Sequence, residues 1–160
     1  IGVDTNYVLK NASDLKIKMP ISSSARQINE YMSQMIASKI INYKFNNIEN
    51  LKLLVLGLTY KPNVPDFRNS KIFKTIDILK KNGVECILND PYDDYGYVKK
   101  EYNKQIGPLC EVDAILLAVK HDEYLKNLDK YVKYIKREEK VIFTLFPIPD
   151  IEGVKICNLF

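Results

Sequence analysis

Apolar positions follow two different rules on either side of about residue 50. Before it they recur at helical spacing, first in a short amphipathic pattern from Asp4 to Leu15. After a break at Pro20, a longer pattern runs from Ser22 to about Tyr43. In the longer pattern Ile28, Met32, Met35, Ile36 and Ile40 step by three and four, as one face of a helix does. Ser22, Ser23 and Ser24 stand where a capping hydroxyl would serve. A helix of about twenty residues reaches roughly 30 Å, more than a linker requires. The spacing therefore predicts a helix that spans two bodies or packs in a dimer interface.

From residue 51 the pattern changes to short continuous apolar runs separated by amphipathic segments. Runs at 51–58, 84–90, 113–119, 140–146 and 154–160 read as buried strands. The segments 71–82, closed by Gly83, and 122–136 read as helices. Strand and helix alternating at this spacing build βαβ units on a mainly parallel sheet. The fold expected is α/β, Rossmann-like and doubly wound, preceded by a long helix, with ligands outside the carboxyl ends of the strands.

Composition narrows this reading only slightly. The chain has 160 residues and a net charge of +4, with its Lys residues dispersed, so no nucleic-acid surface is called for. No apolar segment approaches the ~20 residues a membrane span needs, and IGVDTNYVLK lacks the basic and apolar regions of a signal peptide. That opening reads as a chain entered in mid-domain. Cys86, Cys110 and Cys157 are odd in number, far apart and set in apolar patterns. Buried, reduced thiols in a cytoplasmic protein are expected, with no disulfide framework and no metal site. His121 is the sole histidine, and with no clustered Cys it is not read as a metal ligand.

Candidate chemistry concentrates in GLTYKPNVPDFRNSKIF, residues 57–73, at the carboxyl end of the first predicted strand. A dinucleotide turn there would read G-x-G-x-x-G, and only Gly57 is present, so the loop must meet a ligand through side chains. Lys61 offers a point charge for a phosphate or a sugar hydroxyl, and Tyr60 an aromatic face and a hydroxyl. Pro62 and Pro65 stiffen the backbone, and Arg68 stands just before a helix N-terminus. A local ion pair between Asp66 and Arg68 that merely staples the loop is the bland alternative.

The same segment resembles the opening of the C-terminal, UDP-binding domain of the UDP-glucose/GDP-mannose dehydrogenase family, G-L-[TS]-[YF]-K-x-[ND]-x-x-D-x-R-x-S. IGVDTNYVL is similar to the stretch after that family's catalytic cysteine. SSSARQINEYMSQMIASKI is similar to its A-G-R-x-I-N-x-x-M helix, and LLAVKHDEYLKNL to its L-A-V-A-H-x-E-F segment. The match is nearest to the branch acting on UDP-N-acetylhexosamines.

The resemblance implies that residues 1–48 end a helical central dimerisation domain and that 49–160 form a UDP-sugar-binding Rossmann-like domain. It implies a cytoplasmic, homodimeric, NAD-dependent UDP-sugar 6-dehydrogenase that takes a C6 alcohol to a carboxylate in two hydride transfers. The catalytic Cys would fall just before Ile1 and the NAD domain further upstream, so this stretch alone would not turn over. On matching positions, Asp4 is implied as a catalytic residue helping to activate the hydrolytic water, where position alone suggests a helix cap. Tyr60 and Lys61 are implied as UDP-sugar contacts. Arg68 is implied as an arm toward NAD, expected without a partner here.

Arg26 and Asn29 match the family helix and face the substrate, a subunit interface or solvent. Three departures stand out: Thr5 and Asn6 replace Pro-Tyr, the Tyr-rich segment from Asp93 to Pro108 is short, and the late loop TLFPIPD has Thr144 and Phe146 where charge is expected. A non-catalytic association module with a degraded nucleotide site is the main rival reading, and a free-standing nucleotide or CoA sensor a third.

Overall fold

A computed structural model of the chain describes residues 4–45, 51–93, 96–102, 107 and 109–160. Two helices, α1 (Asp4–Asp14) and α2 (Pro20–Ile41), precede β1 (Lys52–Leu56), α3 (Ile72–Lys81) and β2 (Glu85–Asn89). There follow α4 (Tyr97–Tyr102), β3 (Ala114–Leu117), α5 (Asp122–Lys126), α6 (Leu128–Val132), β4 (Lys140–Thr144) and β5 (Val154–Asn158). The strands form one all-parallel sheet in the order β2-β1-β3-β4-β5. In that order the chain leaves β1 toward β2 on one side and later returns to its other side as β3. A topological switch point therefore lies between the carboxyl ends of β1 and β3.

Alternate residues of each central strand feed two cores, as a two-residue side-chain period requires. Leu53, Val55, Ala114, Leu116, Val141 and Phe143 face a core shared with α2 and α3, through Ile36, Ala37, Ile40, Ile76 and Leu79. Leu54, Leu56, Ile115, Leu117 and Ile142 face the other, against Tyr124, Leu128 and Val132. The C-terminal half of α2 thus belongs to the same hydrophobic core as the sheet. At the amino ends of the strands Asp113 accepts the Lys52 N–H at 2.8 Å and the Arg137 Nε–H at 3.0 Å.

Several boundaries differ from the sequence reading. The break between the two helical patterns falls at 15–19, and Pro20 begins α2, in a first turn where a missing N–H costs nothing. The predicted helix over 122–136 is two short helices, interrupted at Asn127, whose side chain donates to the Glu123 carbonyl at 2.9 Å. The strands end one or two residues before the apolar runs do. The last run residues turn out of the ladder just past such ends; Thr144, the last residue of β4, closes a tight turn onto the Phe146 carbonyl at 2.6 Å. Between Asp93 and Pro108 the described part holds only the short α4. Tyr95 and the side chains of Tyr97 and Tyr102 fall outside the description. All three cysteines are free, but only Cys86 is buried; Cys110 and Cys157 are half-buried.

Gly57 shows how tightly the carboxyl end of the sheet is built. Its φ is +94°, and a Cβ there would lie 2.5 Å from Val119 Cβ and 2.8 Å from the Val119 backbone nitrogen. Left-handed strain of about 1–2 kcal/mol adds to an overpacking cost of about 1–3 kcal/mol. Gly57→Ala is expected to lower Tm by at least about 4–8 °C in thermal unfolding; an unchanged Tm would show that the two strand exits are free to part.

Candidate functional site

Residues 57–71 leave β1 at the switch point, and buried polar groups from two other strand ends hold them. Asp90, just past β2, accepts the N–H of Leu58 at 2.6 Å, of Thr59 at 3.2 Å and of Tyr92 at 2.9 Å. His121, just past β3, is wholly buried and contacts Thr59 Oγ1 and the Asn63 N–H, each at 3.0 Å. Across the loop, the Tyr60 N–H donates to the Asp66 carbonyl at 2.7 Å. Asn63 and Asn69 take φ of 59° and 60°, a region that Asn tolerates better than most residues. Tyr124, buried beneath this end, donates its hydroxyl to the Asn89 carbonyl at 2.8 Å. Desolvation, and then the Asp90 carboxylate, push its pKa well up, so the phenol stays a donor.

Two hollows flank the loop. A crevice of about 190 Å³ opens at the carboxyl ends of β1, β3 and β4, walled by Thr59, Tyr60, Ala118, Val119 and Leu145 under Ile36 of α2. A larger cleft of about 560 Å³ lies between the loop and the start of α2, lined by Asn6, Arg26, Asn29, Tyr60, Arg68 and Lys71 among others. Tyr60, 44 % exposed, stands between the two.

Of the predicted residues, Tyr60 and Arg68 therefore line the larger cleft. Lys61 lies outside its wall, exposed, with Nζ 5.9 Å from the centre of the Tyr60 ring. Asp4 opens α1 and is exposed; the cleft residue contributed by that turn is Asn6. Arg68, implied as an arm toward NAD, is held by its neighbour Asp66. Its Nε and a terminal nitrogen meet the two Asp66 oxygens at 2.9 and 3.0 Å, a bidentate pair that holds the Asp66 carboxyl below its ordinary pKa. At the late loop, Thr144 is buried in its own turn, and Lys120 Nζ lies 5.9 Å from the Phe146 ring.

One cluster was missed by the sequence reading. Glu30 on α2 receives Arg26 at 2.9 Å, Lys74 at 3.9 Å and the ammonium of Lys71, so three cations converge on one carboxylate beside the cleft. Arg26 and Glu30 are four apart on one helix and legible as a pair. Lys71 lies 41 residues from Glu30, and no local spacing reveals it.

Such a site, on a parallel α/β sheet at its switch point, defines a nucleotide-type binding domain with side chains in place of a glycine turn. Residues 54–150 match the UDP-glucose/GDP-mannose dehydrogenase family, UDP binding domain, and the chain belongs to that family. Protein CapL of Staphylococcus aureus is 32% identical over 160 residues, covering 96% of this chain and 36% of CapL. The UDP-N-acetyl-D-glucosamine 6-dehydrogenase of Salmonella typhi is 28% identical, covering 91% and 36%. A UDP-glucose dehydrogenase structure from Pyrobaculum islandicum superposes with a TM-score of 0.77 at 19% identity, covering 99% of this chain and 36% of that one, and supports the fold. The chain spans about a third of the length of these relatives.

Lys71 lowers the Glu30 pKa chiefly by hydrogen bonding, and Arg68 does the same for Asp66. A depressed folded pKa gives stability that is full above the ordinary values, 4.5 and 3.8, and lost as pH falls through the folded ones. Thermal stability should therefore decline in acid below about pH 4.5. Glu30→Gln should flatten part of that decline and cost no more than about 1 kcal/mol at pH 7, because the pairs are largely solvated. An unaltered acid limb in the variant would remove Glu30 from the account.

Proposed function

We propose that residues 1–160 are the UDP-sugar-binding portion of an NAD-dependent UDP-sugar 6-dehydrogenase, with a UDP-N-acetylhexosamine as substrate. The observation that carries this is the Tyr60–Lys61 pair on a braced loop at the switch point, within a chain of a family defined by UDP binding. Relatives named for UDP-N-acetyl-D-glucosamine and UDP-N-acetyl-D-mannosamine favour the sugar class. In the full protein the reaction is oxidation of the C6 hydroxyl to a carboxylate, with NAD accepting a hydride twice.

This chain's own part is to bind and orient. Tyr60 packs its ring against the sugar or base, and Lys61 donates to a diphosphate oxygen or sugar hydroxyl. The loop offers NAD no cradle, since Gly57 stands alone at its head, and Arg68 would reach the cofactor only by sharing or leaving Asp66. Asp4, solvent-facing at the start of α1, would orient water once the rest of the active site is assembled. None of the three cysteines lines either hollow beside the loop, so the stretch alone should bind without turnover. Homodimerisation in the cytoplasm would use α2, whose outer face leaves Ile21, Ile28 and Tyr31 exposed. The rival association module draws on Thr144, whose hydroxyl closes its own turn and leaves the late loop without charge toward a ligand.

Calorimetry with UDP separates the two readings. UDP should bind, and Lys61→Ala should weaken it about tenfold or more, as expected for a lost charge-assisted hydrogen bond of about 1.5–3 kcal/mol. No heat and no chemical-shift change near Tyr60 at millimolar UDP would defeat the enzyme reading and leave the association module.

A further inference from the structure

The hydrogen bonds around His121 run in only one direction. A peptide N–H can only donate, so the Asn63 amide at 3.0 Å requires a lone pair on His121 Nδ1. The ring hydrogen must then sit on Nε2, which is 3.0 Å from Thr59 Oγ1 and 3.5 Å from Asp90 Oδ2. Thr59 accepts it and donates its own hydroxyl hydrogen to the Lys61 carbonyl at 2.9 Å. The chain of donors is Asn63 to His121 to Thr59 to Lys61, and it brackets Tyr60 and Lys61 on both sides. Asn63 also accepts the Asp122 N–H at 3.0 Å, tying the same loop to the start of α5.

We propose that His121 is a positioning residue for the ligand loop, its ring bridging Thr59 and Asn63 so that the exposed segment between them is ordered before a nucleotide sugar arrives. This rests on the reading of Tyr60 and Lys61 as ligand contacts. The imidazole carries an acceptor and a donor on one rigid frame, and the rings of Tyr92 at 5.0 Å and Tyr124 at 5.5 Å pack against it, tilted and edge-on. A merely structural histidine would support the fold equally throughout. This one is bonded to the ligand loop from both nitrogens.

The test uses the 160-residue chain and its single histidine, whose ring nitrogens give one unambiguous NMR spin system. The expected signature is a bare Nδ1 and a protonated Nε2. In a folded His121→Phe variant, amide exchange should accelerate at Asn63 while the amides of β1 and β3 stay protected, and UDP affinity should fall about tenfold as two side chains lose their prior order. His121→Asn, which returns an acceptor near the Nδ1 position, should recover part of both. The opposite tautomer, an unchanged Asn63 exchange rate, or wild-type UDP affinity in folded His121→Phe would overturn the proposal. Should the wild-type chain fail to bind UDP at all, the functional reading falls separately, and the tautomer and exchange results still decide whether His121 orders the loop. If His121→Phe does not fold, His121→Asn carries the exchange and affinity measurements, with smaller changes in the same direction expected and none overturning the proposal.

Discussion

Where β1 leaves the sheet, its backbone runs so close to the segment leaving β3 that a methyl group at Gly57 would fall within 3 Å of the Val119 amide nitrogen. That contact sets the direction of everything after it. With Gly57 in a left-handed turn, the next two amides point at Asp90 rather than continuing the ladder, and Thr59 comes under His121. Three strand ends are joined there through buried polar groups. Each would be costly if left unsatisfied, and none is among the described residues. The loop after β1 owes its shape to this knot and needs no glycine-rich turn to define it.

The sheet was legible because strands covered on both faces read as continuous apolar runs, and all five were found in place. Their ends were harder to place, since a residue such as Leu58 remains buried after the chain has left the ladder. The break at Asn127 was hidden for a related reason. Tyr124, Leu128 and Val132 keep helical spacing through it, so the apolar pattern carries no trace of the interruption. The β4–β5 link was equally silent. Residues 145–153 join two parallel strands without a helix, using Phe146, Ile148 and Ile151 to cover the sheet.

Charge proved less legible than hydrophobicity. The Asp66–Arg68 pair was visible as a possibility because the two are neighbours, and bidentate geometry makes it the resting state of Arg68. The Thr59, Asp90 and His121 group draws one residue from each of three strand ends, 31 to 62 positions apart. Only the parallel topology brings such residues together. A lone histidine in sequence gives no sign of which backbone it will serve.

The long helix shows which forces decide docking and which decide direction. Burial of Ile36 and Ile40 contributes about 1.5–3 kcal/mol for each side chain, and Ala37 adds to the same contact. The Glu30 pairs, at 37 to 56 % exposure on their lysine partners, contribute no more than about 1 kcal/mol each. Packing therefore holds α2 against the sheet, and it would do so without Glu30. What Glu30 and Ser33 add is registry: one gathers Lys71 and Lys74, and the other donates to the Lys71 carbonyl at 3.1 Å. Lys71 is the residue at which the loop after β1 becomes α3. A shift of α2 along its axis would carry that junction with it, so the helix that supports the domain is also mechanically tied to the loop that carries Tyr60 and Lys61.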